Sequence, residues 1–169
     1  GFKTGKGAPL GGPTQFRFNT GGPFVQSVYP GTYERLDEEQ IFALRLNGAA
    51  TAASVAENVW CALDSLGERV PVKAADGAQR AGILKSLGLE KEAAQDPQRI
   101  LTLACKRRLT PSTQVQLVFG KGVATPSGAA NSTERRYTWR VREPFEISFS
   151  CERENAQSGC LPMRPMSLR

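Results

Sequence analysis

The chain has 169 residues, room for one domain with a substantial core or one domain and part of another. Apolar residues make up 40% and charged residues 22%, which excludes a compositionally disordered chain, and no run approaches the eighteen apolar residues a membrane span needs. The net charge of +6 is too mild to single out nucleic acid as a partner, and histidine is absent. That absence excludes Ser-His-Asp and Cys-His nucleophile systems and the His-Glu-x-x-His zinc motif.

Residues 1–22 are rich in Gly and Pro and read as a linker or as the tail of a preceding module. The stretch from Gly1 to Gly7 is a poor phosphate loop. It has three residues between its glycines where the motif needs four, and no Ser or Thr follows Lys6. Phe16-Arg17-Phe18 is a short strand-like alternation. The first residue is Gly1, the only methionines are Met163 and Met166, and no apolar leader core is present. The expectation is an excised piece of a longer chain, with any targeting signal upstream.

From Phe24 the pattern changes to period-2 alternation, the mark of strands with one buried face. Short strands are predicted at residues 25–29, 59–63 and 69–73. In residues 41–47, Phe42, Leu44 and Leu46 share a face; in 100–106, Leu101, Leu103 and Cys105 do; in 114–119, Val115, Leu117 and Phe119 do. In residues 135–142, Tyr137, Trp139 and Val141 oppose Arg136, Thr138, Arg140 and Arg142. In residues 145–152, Phe145, Ile147, Phe149 and Cys151 oppose Glu146, Ser148, Ser150 and Glu152. Turn signals at Pro30-Gly31, Asn47-Gly48, Pro111-Ser112 and Pro126-Ser127-Gly128 separate the runs. About seven short alternating strands define an all-β, immunoglobulin-like antiparallel β-sandwich over residues 23–143.

One helical stretch interrupts the strands. Asp76 caps it, Ile83, Leu84 and Leu87 form its apolar stripe, and Gly88 ends it, with a second turn at residues 89–94. Residues 76–97 are expected to be an insertion over one sandwich edge. Residues 51–58 hold a further helical turn.

Residues with chemistry are few. Asp37-Glu38-Glu39 is the densest acidic run, but neighbours in a strand or turn point apart, so the expectation is a solvated loop and not an acid–base pair. Lys106-Arg107-Arg108 and Arg135–Arg142 are basic. Period 2 turns Tyr137 and Trp139 away from Arg140 and Arg142, into the core, which argues against a nucleic-acid stacking platform. Cys61, Cys105, Cys151 and Cys160 are even in number, lack a Cys-x-x-Cys spacing and have no histidine beside them. They fit two disulfides in an oxidising compartment better than a zinc site or four free thiols. Three connectivities are open. The one set out for test is Cys61–Cys105, joining two strands, with Cys151–Cys160 pinning a local hairpin. Catalytic, cofactor-binding and metal-binding residues are expected to be absent, and the chain is not expected to be an enzyme.

Several stretches together resemble the bacterial α-2-macroglobulin-like proteins. They are Phe16-Arg17-Phe18-Asn19-Thr20-Gly21-Gly22-Pro23, Asn58-Val59-Trp60-Cys61, Leu103-Ala104-Cys105-Lys106, the run from Leu117 through Gly120 and Gly122 to Gly128, and Phe149-Ser150-Cys151-Glu152-Arg153-Glu154-Asn155 with Gly159-Cys160-Leu161-Pro162-Met163-Arg164-Pro165-Met166. Pro30-Gly31, the polar turn from Gly48 to Ser54 and the turn from Leu109 to Thr113 are also similar to those of bacterial immunoglobulin-like domains. The resemblance covers nearly all of residues 14–169. It implies an exported parent, often lipid-anchored in the periplasm, built as a string of macroglobulin-like sandwiches that baits and traps proteases. Its expected partners are the neighbouring domains, with proteases as targets of the full-length protein. The family's Cys-x-Glu-Gln thioester motif has no counterpart: Asp37-Glu38-Glu39-Gln40 lacks the Cys, and Cys151-Glu152-Arg153-Glu154 lacks the Gln. No protease-bait segment is evident either. The resemblance further implies that residues 144–169 are the first strands of a following module, cut short, and because exposed edge strands pair readily, weak self-association or disorder is expected near residues 155–169. The alternative function is an adhesion or protein-binding module of the cell envelope.

Overall fold

A computed structural model describes residues 21–63 and 69–168; the strand-like Phe16-Arg17-Phe18 and the Gly1–Gly7 stretch lie outside them. The elements in chain order are β1 (Val25–Tyr29), β2 (Arg35–Leu36), β3 (Ile41–Leu46), α1 (Ala52–Asn58), β4 (Val59–Leu63), β5 (Arg69–Ala74), α2 (Gly77–Ser86), α3 (Glu90–Gln95), β6 (Ile100–Cys105), β7 (Gln114–Phe119), β8 (Arg135–Val141), β9 (Phe149–Cys151) and β10 (Met166–Leu168).

The first eight strands form one sheet in the order β1-β3-β6-β5-β4-β7-β8-β2. All its pairings are antiparallel except β2 with β8, which run parallel through Arg35–Arg140 and Leu36–Val141. The sheet curls on itself because β5 serves two partners. Its first half pairs with β4 through Arg69, Val70 and Pro71, and its second half with β6 through Val72, Lys73 and Ala74. The two halves face each other as an immunoglobulin-like sandwich.

Alternation fills the space between them. Phe42, Leu44 and Leu46 of β3 and Leu103 and Cys105 of β6 meet Cys61 and Leu63 of β4, Val115, Leu117 and Phe119 of β7 and Trp139 and Val141 of β8. Phe42 and Trp139 touch across the core, ring centroids 4.9 Å apart and tilted by 42°. Such an aromatic pair contributes about 0.5–1.5 kcal/mol beyond the area it buries. The Trp139 indole N–H donates to the carbonyl of Gly31 at 3.0 Å, with that of Pro30 at 3.3 Å. It thereby fastens the crossing from β1 to β2 against β8.

The helical stretch covers a sheet face, where the sequence suggested an edge. Ile100 points away from the main core and packs with Leu84 of α2, Ala93 of α3 and Leu89 between them. Thr102 on that same outer face is 2% exposed. Arg80 of α2 donates to the carbonyl of Ile100 (2.8 Å), the Thr102 hydroxyl (3.0 Å) and the carbonyl of Pro97 (3.0 Å). This is why β3 and β6 bury residues of both parities and their alternation is imperfect. Asp76 caps α2 by accepting from the Gln79 N–H at 2.8 Å. Gly88, at φ +67°, ends the helix in the left-handed region that glycine adopts without strain. Thr51 caps α1, accepting from the Ser54 N–H at 3.4 Å, so residues 51–58 form the expected helical turn.

Residues 145–152 depart from the expected eight-residue strand. Only Phe149–Cys151 pairs, antiparallel with Met166–Leu168, in a separate two-stranded sheet. Phe145 and Ile147 are exposed, not core residues. Their alternation marks an amphipathic segment, and no described residue covers its apolar face.

Candidate functional site

The cysteines occupy two contrasting settings. Cys61 sits mid-β4 and Cys105 ends β6, on opposite halves of the sandwich, joined by a disulfide with Cα atoms 5.9 Å apart. They are 0% and 8% exposed and belong to the core. Cys151 and Cys160 form the second disulfide across nine residues. Both are partly exposed, and Arg153 donates from Nε to Cys151 Sγ at 3.4 Å. Nothing in the sequence spacing marked that arginine.

The basic strand β8 arranges its side chains as alternation requires. Trp139 and Val141 are buried and Tyr137 half-buried, while Arg135, Arg136, Arg140 and Arg142 are exposed. Burial pushes the Tyr137 hydroxyl above its ordinary value, an effect that Arg135 opposes by charge and hydrogen bonding. Trp139 is thus withdrawn from the surface, and Tyr137 half withdrawn. On the outer face of the neighbouring strands, Arg69 lies over the Trp60 ring, 4.1 Å from its centroid. That indole in turn covers Gly120, where an added Cβ would come within 2.5 Å of Trp60 Cζ3 and 2.6 Å of the Asn58 carbonyl oxygen.

The acidic run is the expected solvated turn, and two of its carboxylates make surface ion pairs. Asp37 pairs with Arg142 at 3.1 Å and Glu38 with Arg108 at 2.6 Å. The backbone reinforces both: Arg142 N–H donates to Leu36 and Leu109 N–H to Glu38, each at 2.9 Å. The carboxylates point apart, toward β8 and toward the end of β6, so they form no acid–base pair. Exposed ion pairs of this kind contribute about 0–1 kcal/mol each. Arg45 of β3 makes the other notable pair, donating from Nε to Glu92 of α3 at 2.8 Å. That hydrogen bond and charge raise the guanidinium above its ordinary value.

Several clefts interrupt the surface, and two of them differ sharply in character. A polar one of about 240 Å³ lies between the Glu38–Ile41 segment and the basic residues Lys73, Lys106 and Arg108. An apolar one of about 420 Å³ opens where β5 leaves β4, lined by Val55, Ala56, Val72, Ala74, Leu101 and Leu103. Among the described residues no group of three or more His, Cys, Asp or Glu side chains is placed to hold a metal ion, and no helix is long and apolar enough to cross a membrane.

The two ends of the sandwich are its most informative feature. At one end Gly22 passes against the backbone of Ala130 and Asn131, so closely that an added Cβ would lie 2.0 Å from Asn131 N. Asn131 clamps this end, accepting from the Val123 N–H at 2.9 Å and donating to the carbonyls of Gly120 (3.0 Å) and Thr133 (2.8 Å). β1 starts here, beside the end of β7 and the start of β8, where Phe119 pairs with Arg135. β8 then runs the length of the sandwich. Arg142 leaves at the other end, tied to Leu36 and to Ser112, whose N–H donates to its carbonyl at 3.1 Å. The chain thus enters and leaves the sandwich at opposite ends.

No protein-family profile matches the chain, and no curated protein matches it in sequence. Several solved structures are similar. The native conformation of E. coli alpha-2-macroglobulin aligns at TM-score 0.45 and 14% identity, over 78% of this chain and 7% of that one. The S-layer protein rSbsC(31-844) aligns at TM-score 0.43 and 14% identity, over 79% and 16%. Domains 1–6 of the surface layer protein SbsC align at TM-score 0.44 and 11% identity, over 85% and 19%. The chain spans less than a fifth of the length of each.

Proposed function

We propose that this chain is a non-catalytic immunoglobulin-like module of an exported protein, and that its parent is a bacterial protease-trapping protein of the α-2-macroglobulin-like kind. The observation that carries the modular part is the placement of Gly22 and Arg142 at opposite ends of one sandwich. A domain so threaded sets the separation of its neighbours, which shape and stiffness alone can accomplish. Two disulfides support an oxidising compartment, the periplasm or cell envelope. The protease-trapping part rests on the sequence stretches set out above; in this fold Asn58–Cys61 lies where α1 passes into β4, Leu103–Lys106 at the end of β6, and Leu117–Gly128 runs through β7 into the clamped end. In this reading residues 144–169 belong to the next module, and covalent capture, where the parent performs it, uses residues outside this chain.

The test uses the intact parent. An antibody against this chain recovers it from the envelope fraction of producing cells, and the recovered protein is mixed with trypsin. The expected result is trypsin co-eluting with the parent, active on a small chromogenic peptide and shielded from casein. Trypsin that elutes free, with full activity on casein, overturns the protease-trapping reading and leaves the modular one.

A second reading, adhesion, is favoured by one observation: Phe145, Ile147, Phe149, Met166 and Leu168 are all exposed. It requires the isolated chain to bind a surface or protein partner by itself, which the modular reading does not.

A further inference from the structure

The two disulfides differ in what protects them. Cys61 is fully enclosed by core side chains and Cys105 is only 8% exposed, at the lining of the polar cleft, so a thiolate has little access to that bond while the sandwich is folded. Cys151–Cys160 is partly exposed and closes a short segment whose intervening residues 152–159 are almost all exposed. The structure that surrounds it is slight. β9 and β10 share three residue pairs, supplemented by the Leu161 N–H donating to the Glu152 carbonyl at 2.9 Å, the Ser150 and Ser167 hydroxyls 3.2 Å apart and an exposed Arg164–Glu152 ion pair at 3.6 Å. Among the described residues, no hydrogen bond or ion pair joins residues 143–168 to the sandwich. A two-stranded ribbon of this size is marginal in water unless something staples it, and here the staple is the disulfide.

Arg153 adds a chemical asymmetry. Its Nε is 3.4 Å from the sulfur of Cys151, so negative charge developing on that sulfur is stabilised by a guanidinium. Thiol–disulfide exchange proceeds fastest when the departing sulfur is the better-stabilised thiolate. Attack is therefore directed at Cys160, with Cys151 leaving.

We propose that Cys151–Cys160 is a reducible clasp. An external thiol opens it before Cys61–Cys105, and opening releases the β9–β10 ribbon while the sandwich stays folded. In the first step an external thiolate forms a bond to Cys160 Sγ, the Cys151–Cys160 bond breaks, and its electron pair departs on Cys151 as the thiolate beside Arg153. In the second step another external thiolate attacks the mixed disulfide, releasing Cys160 as a thiolate and the external disulfide as product. Two electrons pass from the external thiols to the protein, and the new cysteine thiolates take protons from water.

The experiment treats the unreduced chain with increasing reduced glutathione, quenches with acid, alkylates, and locates the modified cysteines by mass spectrometry. Cys151 and Cys160 should become alkylated at a thiol concentration at least tenfold below that needed for Cys61 and Cys105. Tryptophan fluorescence, from Trp60 and Trp139 of the sandwich, should hold constant across this first step, while amide protection is lost at Phe149–Cys151 and Met166–Leu168. Opening of both bonds together, or a first step that also unfolds the sandwich, overturns the proposal. The variant C151A/C160A provides a check free of reductant: it should keep the tryptophan signal of the folded sandwich, and its loss has the same consequence. The role of Arg153 is read from the trapped adduct, expected mainly on Cys160 in the native chain and in R153K and evenly divided in R153A. An adduct distribution unmoved in R153A removes Arg153 from the mechanism.

Discussion

Replacing Cys61 and Cys105 together by alanine removes the disulfide that crosslinks the two halves of the sheet. The bond joins residues 44 apart, and for that separation the chain-entropy treatment gives a stabilisation of about 4 kcal/mol, acting through the restricted unfolded chain. Both sulfurs are buried in the core, so their deletion adds a small packing loss of about 1 kcal/mol. Against total stabilities of about 5–15 kcal/mol for ordinary domains, this is a large fraction. For a sandwich of about 120 residues it corresponds to a fall in Tm of about 15–20 °C. Urea unfolding of C61A/C105A followed by tryptophan fluorescence measures the loss. The unfolded chain also expands when the crosslink is gone, so the urea slope should rise along with the fall in midpoint. A loss under about 1 kcal/mol with an unchanged slope would refute the idea that the cross-sheet bond acts on the unfolded state.

Three smaller perturbations test the packing around it. W139F keeps a ring against Phe42 but leaves the Gly31 carbonyl without its 3.0 Å donor; it should cost about 1–3 kcal/mol in urea unfolding. G120A forces a methyl group against the Trp60 ring and the Asn58 carbonyl. It should destabilise by about 1–3 kcal/mol, and Trp60 emission should shift as the ring is displaced. Tyr137 gives a pH dependence. Its folded pKa lies above the ordinary 10.0, chiefly because burial disfavours the phenolate. As pH rises past that value the unfolded chain loses its proton first, so the folded state binds more protons and stability falls. Stability measured against pH should therefore decline more steeply above that value in the native chain than in Y137F, and parallel curves would count against the assignment.

Some of this architecture is written in the sequence and some is not. Strands β4 and β8 are legible because alternation there has one cause, a single buried face; β7 keeps Val115, Leu117 and Phe119 on that face but buries Val118 on the other as well. Strand β6 is harder to read: Ile100 and Thr102 are buried from the other side by α2 and α3, and only the tertiary position of those helices explains it. β2 has two residues and no periodicity to detect; its parallel pairing to β8 is imposed by the crossing that Trp139 fastens. Residues 145–152 show the converse failure. Their alternation reports amphipathicity, but pairing needs a partner strand, and only Phe149–Cys151 has one. The ion pairs of Asp37 and Glu38 were invisible because Arg142 and Arg108 are remote in sequence and brought close by the ends of β8 and β6. The cysteine pairing was one of three open connectivities; Cys61 and Cys105 face each other because β4 and β6 both turn that parity of residue into the core.

Entry and exit at opposite ends, combined with the cross-sheet bond, give this sandwich a mechanical property that a spacer between modules can use. A pull applied at Gly21 and Arg142 loads β1 against β3 and β8 against β7, the strands through which the chain enters and leaves. Once these give way the chain extends, but the 44-residue interval between Cys61 and Cys105 stays closed. With about 3.4 Å per extended residue, the oxidised domain can reach a contour of only about 260 Å, whereas the reduced one, with about 120 residues free, reaches about 410 Å. Single-molecule pulling between cysteine-free handles fixed near these two positions should show the shorter step under oxidising conditions and the longer step in C61A/C105A. Equal steps in the two would mean that Cys61 and Cys105 are not joined in the folded protein, and the account of a sandwich whose extension is limited from within would fail with that bond.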